Sequence, residues 1–310
     1  MSVVVPARNA AATIGRTLEC LAVQELEGRH EVVVVDDDSE DDTAEIARRA
    51  AGRVTVIAGT RLGAAEARNR GVAAASAPAI AFTDADCFPT PDWLAGMLAA
   101  LAGADLVQGR VMPDPAAHLG PFDRTIWVES ERGFYETANL AVTRELFDTI
   151  GGFEDWLDTR GKKLLAEDVW FGWRAVRSGA RTCFAGDAVV HHAVFPRSPR
   201  GYVSERLRLR YFPAIARRIP EFRERTLFAG LFLSPRSAAF DAAVAGGLVA
   251  VARRSPLPLA LALPYARIAT RGMLRYRRRA PIVTVARVAA DVVSLGALAV
   301  GSVRWRSPVL

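Results

Sequence analysis

The chain has 310 residues, of which 51% are hydrophobic and 24% charged, and this composition excludes an intrinsically disordered protein. The three well-separated cysteines, Cys20, Cys87 and Cys183, exclude a disulfide-stapled domain, fit no zinc site and favour a reducing compartment. The net charge of +6 indicates a polyanionic partner such as nucleic acid, an anionic membrane or a phosphorylated substrate.

The first 110 residues alternate strand-like and helix-like segments. Apolar runs, most of them rich in valine, predict strands at 2–5, 31–35, 54–57 and 79–83. Helical spacing and composition predict helices at 13–24, 43–50, 63–75 and 92–101. This interleaving predicts right-handed βαβ units and a parallel sheet. Because the first strand follows Met1 directly, we predict no signal peptide.

Residues 105–200 give a less regular pattern of strands and helices. Strands are predicted at 105–111, 139–143, 182–185 and 188–191, and helices at 144–150 and 167–178. The sequence therefore predicts an α/β domain over residues 1–200.

The charge balance changes near residue 200. Residues 1–200 carry 21 Lys and Arg against 29 Asp and Glu, a net of −8, whereas residues 201–310 carry 19 against 5, a net of +14. Three apolar runs lie between the arginines, at 238–252, 256–265 and 282–303. Arginines beside apolar segments predict that 201–310 is a basic helical region held at an anionic membrane surface. Because this region has few aromatics for base stacking, nucleic acid is not the predicted partner.

Only the third apolar run is long enough to span a bilayer. Arg287 and Asp291 lie four residues apart on one helical face of this run, where they can pair. A span packed against another helix, an interfacial helix and a soluble amphipathic helix all fit the pattern.

Acidic residues cluster where the predicted strands end, which is where ligands bind in parallel sheets. Asp84 and Asp86 follow the fourth strand, and in an extended segment their side chains point the same way. Two such carboxylates predict a binding site for Mg²⁺ or Mn²⁺, and the bound ion would in turn bind a diphosphate. The tripeptide alone more often marks solvated loop acids, and the buried strand before it strengthens the metal interpretation.

Three further motifs admit a structural and a chemical interpretation. Asp37 lies in an acidic run after the second strand, where acids bind a ligand or cap the next helix. Glu167 and Asp168 lie at the start of a predicted helix. They either cap this helix as acids in its first turn, or one of them is a general base. His191 or His192 is either a structural histidine or a third metal ligand suited to Mn²⁺.

Six sequence blocks occur in order and at compatible spacing between residues 2 and 195. They are VVVPARNAAATIGRTLECL (3–21), EVVVVDDDSEDDT (31–43), AEARNRGVAAA (65–75), FTDADC (82–87), ETANLAVTRELFDTIGGFED (136–155) and LLAEDVWFGWRAVRSG (164–179). Together they resemble the large inverting glycosyltransferase family, of family 2 type, that uses nucleotide sugars on a GT-A fold. The resemblance implies an α/β fold with a Rossmann-like, mostly parallel sheet flanked by helices, and a C-terminal helical, partly hydrophobic extension.

The resemblance also implies roles for the matching residues. Six residues are implied in donor binding: Pro6, Arg8, Asn9, Asp37, Arg68 and Asp84. The residues implied in the metal shell are Asp86 with His191 or His192, and those implied in acceptor binding are Asn139 and Glu167. Asp168 is the implied general base.

The implied reaction is a single displacement that inverts the anomeric carbon. Asp168 takes the proton of an acceptor hydroxyl, while Arg68 and a divalent ion, Mn²⁺ or Mg²⁺, stabilise the leaving nucleoside diphosphate. The resemblance implies a nucleotide-sugar donor, a glycan or lipid-linked acceptor and a role in cell-envelope glycan or glycolipid synthesis. The expected location is the cytoplasmic face of the cell membrane.

The chain departs from the family pattern at two places. Asp38 stands where the family commonly has glycine, and residues 198–212 lack the Q-x-x-R-W-type block of processive members, which implies a non-processive transfer. A nucleotidyltransferase is the weaker alternative, because residues 6–15 match its glycine-rich loop poorly. A non-catalytic sugar- or nucleotide-binding relative is disfavoured because it would not need a base such as Asp168.

Overall fold

The computed structural model describes residues 1–26, 30–157 and 166–310. These residues form two compact units. Unit 1 comprises Met1–His118 and Thr125–Val194, and unit 2 comprises Leu119–Arg124 and Phe195–Leu310. The functional division into domains 1–200 and 201–310 stays a prediction.

Unit 1 is built on an eight-stranded mixed sheet with the order β3-β2-β1-β4-β7-β6-β8-β5. The strands are β1 (Ser2–Ala7), β2 (Glu31–Asp36), β3 (Val54–Ala58), β4 (Ala79–Phe82), β5 (Cys87–Pro89), β6 (Leu106–Pro113), β7 (Leu140–Thr143) and β8 (Thr182–His192). β3, β2, β1 and β4 pair in parallel, as do β6 and β8, whereas β7 runs antiparallel to both of its neighbours and β5 to β8. The predicted α/β class is confirmed.

Among the described residues of unit 1, six helices flank this sheet. They are α1 (Ile14–Ala22), α2 (Thr43–Arg49), α3 (Ala64–Ala74), α4 (Trp93–Leu101), α5 (Arg144–Ile150) and α6 (Glu167–Arg177). Ile14, Leu18 and Leu21 of α1 are buried at helical spacing, and the four valines of β2 are buried consecutively. Consecutive burial is expected of a strand that is covered on both faces.

Two local predictions in unit 1 are wrong. Residues 182–192 form one strand, not two, because residues 186–188 bulge between the Gly109–Ala185 and Arg110–Val189 pairs. The segment after β4 is a turn, not an extended strand, since the Cys87 N–H donates to the Asp84 carbonyl at 3.1 Å. Asp84 and Asp86 therefore face different partners.

Unit 2 is helical. Its α-helices are α7 (Pro199–Glu205), α8 (Phe212–Arg218), α9 (Glu221–Thr226), α10 (Pro235–Arg253), α11 (Leu263–Met273) and α12 (Ala280–Trp305). A 3₁₀ segment, Leu257–Ala262, joins α10 to α11. Within the described part of the chain, α12 is the one helix long and apolar enough to cross a membrane, with a mean hydropathy of 1.8.

The predicted pairing of Arg287 with Asp291 along α12 is wrong. Asp291 instead accepts hydrogen bonds from Arg236 of α10, at 2.6–3.1 Å, and from the Tyr265 hydroxyl of α11, at 2.6 Å. Arg287 donates to the Tyr276 hydroxyl at 2.9 Å. Asp291 is therefore bonded to residues of two neighbouring helices and not to Arg287, one turn away on its own helix. These hydrogen bonds connect α10, α11 and α12.

Candidate active site

Asn9 joins the loops that follow β1 and β2. Its backbone has a φ of 50°, its side-chain oxygen accepts from the Glu40 N–H at 2.8 Å, and its own N–H donates to the Ser39 hydroxyl at 2.9 Å. Pro6 lies in β1, half-buried, and Arg8 is exposed beside Asn9. Asn9 is therefore held between the two loops, with Arg8 next to it and Pro6 at the end of β1.

Asp37 fixes the loop before α3. Its two carboxylate oxygens accept from the Leu62 N–H at 2.6 Å and the Gly63 N–H at 2.9 Å. The side chain is buried. Each carboxylate oxygen retains a second lone pair, so these bonds leave acceptor capacity for a nucleotide base.

Asp38, which stands where the family pattern has glycine, adopts a left-handed backbone conformation that glycine accommodates readily. Its φ is 61°, in the left-handed region that Asp and Asn tolerate better than most residues. Its carboxylate accepts from Arg61 Nε at 2.7 Å, and the same guanidinium binds Glu40 at 2.6 Å. The extra negative charge at this position is thus paired on the surface.

Arg68 is the buried cation of the site. Its guanidinium donates to Asp84 Oδ1 at 3.1 Å and to Glu167 Oε1 at 3.2 Å. Burial opposes the charged form, but Asp84, Glu167 and Asp168 outweigh it and raise the pKa of Arg68. Arg68 thus lies between an acid at the end of β4 and two acids that open α6, and all four residues were predicted from the sequence.

Asp168 lies among like charges. Burial, then the carboxylates of Glu167 and Glu136, raise the pKa of Asp168 well above its ordinary value, and Arg68 only partly offsets them. Its Oδ1 accepts from the Val169 N–H at 2.8 Å. A carboxyl in this environment is a stronger base than an exposed aspartate.

The sequence interpretation missed Glu136. This residue precedes a 3₁₀ turn, Thr137–Asn139, and burial raises the pKa of its carboxyl. Its position as the acidic first residue of the fifth matching block was the available signal. Leu164 and Leu165, which open the sixth block, lie outside the described residues.

Asp86, Cys87 and His192 lie together, with one potential ligand atom of each within 4.8 Å of the others. His192 Nε2 is 3.6 Å from Asp86 Oδ1. Two atoms bound to one ion at about 2.1 Å each lie no more than about 4.2 Å apart, so this pair fits one ion. Burial and the Asp84 and Asp86 carboxylates raise the pKa of the Cys87 thiol well above its usual value.

The tautomer of His192 suits a metal ligand. Nδ1 lies 2.6 Å from the Ala193 carbonyl, which can only accept, so the hydrogen-bond network assigns the ring proton to Nδ1. Nε2 then presents its lone pair towards Asp86. The Thr125 hydroxyl lies 3.3 Å from Nδ1 on the same side of the ring.

His191 lies outside that group. It pairs with Phe88 and Met112 in the sheet, and its Nδ1 is buried without a hydrogen-bond partner among the described residues. Its electrostatic contact is with Asp114, whose pKa is held low first by Arg16 and in small part by His191. Adjacent strand residues point to opposite faces, which separates His191 from His192.

Asn139 is completely buried, and its amide is fully engaged. Its oxygen accepts from Trp93 Nε1 at 2.7 Å, and its NH₂ group donates to the Arg110 and Ala188 carbonyls, both at 2.8 Å. Ala188 belongs to the bulge of β8, and Arg110 of β6 pairs with Val189 directly after it. The geometry favours a structural role for Asn139 over the acceptor contact that the sequence predicts.

The comparison with protein families gives one family. The family described as glycosyl transferase family 2 matches residues 2–154. Glycosyltransferase AglE of Haloferax volcanii is 30% identical over 211 residues, which cover 63% of this chain and 67% of that protein. Succinoglycan biosynthesis protein ExoU of Rhizobium meliloti is 34% identical over 167 residues, covering 51% of this chain and 44% of that protein.

Solved structures show the same fold. The mannosyltransferase PcManGT of Pyrobaculum calidifontis, in complex with GDP-Man and Mn²⁺, aligns with a TM-score of 0.66 at 25% identity, covering 95% of this chain and 86% of that chain. S. aureus TarS 1–349 in complex with UDP-GlcNAc aligns with a TM-score of 0.51 at 17% identity, covering 99% and 92%. The predicted GT-A fold is confirmed.

Proposed function

Because the chain belongs to glycosyl transferase family 2, we propose that unit 1 transfers a sugar from a nucleoside-diphosphate sugar to an acceptor hydroxyl with inversion. The observation that carries this proposal is the buried Arg68, which bridges Asp84 at the end of β4 and Glu167 beside the basic Asp168. This bridge joins the carboxylates implied at the donor to those implied at the acceptor.

Arg68 and Asp86 serve the donor end of the proposed site. The guanidinium of Arg68 supplies fixed positive charge for a diphosphate and requires no reorganisation as the negative charge grows. Asp86 and His192 would hold a divalent ion, with Mn²⁺ favoured over Mg²⁺ because imidazole is a softer donor than a carboxylate. When bound, such an ion neutralises the leaving diphosphate.

Asp168 serves the acceptor end. Its raised pKa suits the removal of a proton from an acceptor hydroxyl, and Glu167 is placed to bind the acceptor while it holds Arg68. A single displacement at the anomeric carbon then inverts its configuration. Since residues 198–212 lack the block of processive relatives, we propose that transfer is non-processive.

The apolar and arginine-rich unit 2 supports a membrane setting. We propose that it attaches the enzyme to the cytoplasmic face of an anionic membrane, where the acceptor is a lipid-linked or other envelope glycan. In support, solvent-exposed apolar side chains are concentrated between Val244 and Val303, and arginines lie beside them.

A thermal-shift screen of nucleotide sugars with and without Mn²⁺ tests the donor proposal. A ligand that binds the folded chain at 100 times its dissociation constant adds about 2.7 kcal/mol of stability, which raises Tm measurably. We expect a shift that requires Mn²⁺ in the wild type and is lost in Asp86→Ala. Asp92→Ala, which removes an exposed carboxylate at the start of α4, is the matched control.

Turnover and product analysis test the reaction itself. The anomeric configuration of the product, read by NMR, should be opposite to that of the donor. In the thermal-shift screen, a rise in Tm that nucleotide causes without Mn²⁺, and that is equal in wild type and Asp86→Ala, would contradict the metal assignment. Binding without any turnover towards glycan and lipid-linked acceptors would favour the non-catalytic relative.

A further inference from the structure

We infer that residues 244–263 of unit 2 form a hairpin that inserts into one leaflet of an anionic bilayer, lying along its plane and not crossing it. The hairpin consists of the second half of α10, the turn at residues 254–256 and the 3₁₀ segment before α11. The inference rests on the membrane attachment proposed above and adds which surface enters the lipid and how deeply.

The outer face of the hairpin is apolar and uncovered. Eight large apolar side chains between Val244 and Leu263 are exposed, among them Leu248 at 68%, Val251 at 80%, Leu257 at 81% and Leu263 at 68%. Isolated exposed apolar residues are ordinary, but a contiguous set on one short element marks an interaction surface.

The inner face of the hairpin is packed. The exposed apolar side chains are therefore not needed to form the core of the hairpin. Phe240, Gly246 and Ala250 of α10 are buried. A Cβ at Gly246 would lie 2.5 Å from the Pro258 carbonyl oxygen, so only glycine allows the two legs to approach so closely. At the base, Tyr265 packs against the Phe240 ring with centroids 5.0 Å apart.

The charges around the hairpin fit an anionic leaflet. Arg253 and Arg254 are exposed at its turn, and Arg267 and Arg271 are exposed on α11. The sequence contains no Asp or Glu between residues 242 and 290, so no acid weakens the attraction. Arginines beside an apolar face extend to lipid phosphates while their stems stay in the interface.

The same arginines argue against a crossing hairpin. The apolar run 238–252 covers about 22 Å as a helix, short of the roughly 30 Å of a hydrocarbon core. Crossing would also carry Arg253 and Arg254 through that core, which is costly for unpaired charges. An in-plane helix of apolar and basic faces avoids both costs.

Flotation of the full-length protein with preformed vesicles tests the surface. With vesicles of phosphatidylcholine and phosphatidylglycerol, we expect Leu248→Glu combined with Leu257→Glu to lower the bound fraction by about tenfold or more. Val23→Glu, which places one such charge on an apolar residue of unit 1 exposed by 62%, should bind as the wild type does. Val303→Glu, at the 81% exposed end of α12, tests that helix in the same way.

The outcomes separate this inference from the membrane attachment on which it rests. If wild type does not float, attachment itself is wrong, and the inference with it. If wild type floats and the hairpin variant floats equally, or if only Val303→Glu is released, the hairpin is wrong while attachment stands. A far-UV circular dichroism spectrum and a Tm equal to those of the wild type show that the hairpin variant is folded.

Labelling of Ser255→Cys tests the depth. Ser255 lies in the turn of the hairpin, and after binding from outside to sealed vesicles an in-plane hairpin leaves it reactive to a membrane-impermeant maleimide. The difference in label uptake from wild type corrects for the three native cysteines. A residue that reacts only after the vesicles are lysed would show that the hairpin crosses.

Discussion

At the scale of single residues, the proposed reaction depends on Asp168. Its pKa is raised by burial, Glu167 and Glu136, so the carboxylate form is lost as the pH falls through a value above the ordinary 3.8. We expect the transfer rate to fall along that acidic limb. Asp168→Asn should abolish transfer while Mn²⁺-dependent nucleotide binding, measured by calorimetry, persists.

The same shift has the opposite consequence for stability. A carboxyl whose pKa is higher in the folded chain than in the unfolded chain adds stability below the unfolded pKa and loses it as the pH rises. Asp168→Asn should therefore raise Tm at neutral pH. A lower Tm of Asp168→Asn would mean that its activity is lost through unfolding. Loss of nucleotide binding in this variant would contradict the assignment of Asp168 as the base.

Glu136→Gln tests how the pKa of Asp168 is set. Removing one negative charge beside Asp168 lowers its pKa, so the acidic limb of the rate profile should move to lower pH. Glu129→Gln, an exposed acid in the same loop, should leave the limb in place. A profile that Glu136→Gln does not move would mean that its carboxylate has no influence on the base.

At the scale of elements, Asn139 holds three parts of unit 1 together. It bonds Trp93 of α4 and the carbonyls of Arg110 in β6 and Ala188 in β8. Asn139→Ala leaves these buried groups unpaired and should lower the free energy of unfolding by about 3 kcal/mol or more. Urea denaturation measures this change. Normal stability with a raised KM for acceptor would instead support the acceptor contact.

The elements also show what the sequence could predict. The strands β1 to β4 and their helices were predicted because valine runs and helical spacing are local signals, and the acids at strand ends follow from the parallel topology. Pairing partners are not local. The bulge of β8, the turn after β4 and the choice of Arg236 over Arg287 for Asp291 arise from contacts between distant segments.

The candidate site shows the same division. Arg68, Asp84, Glu167 and Asp168 were predicted and lie together. The choice between His191 and His192 required the sheet, because adjacent strand residues carry identical sequence signals and opposite directions. Glu136 was missed because its effect on the pKa of Asp168 depends on its burial in the folded chain, and the sequence alone does not show that burial.

At the scale of the whole molecule, the net charge of +6 conceals two opposite regions. The acidic residues 1–200 concentrate carboxylates at strand ends, where Asp86 and His192 form the group proposed to hold a cation. The basic residues 201–310 carry their positive charge as arginine alone, beside exposed apolar faces. Attraction of a polyanion by net positive charge is therefore expected only for the second region, and a leaflet of anionic lipid also accounts for its apolar faces.

This division predicts a specific salt dependence for vesicle binding. The screening length falls from about 10 Å at 0.1 M salt to about 3 Å at 1 M, so exposed arginines lose most of their attraction to lipid phosphates. Binding to vesicles with phosphatidylglycerol should therefore fall towards the level seen with phosphatidylcholine alone, where the apolar contribution remains. Flotation across a salt series measures both. Equal, salt-independent binding to the two vesicle types would show that the +14 charge of residues 201–310 does not contribute to attachment.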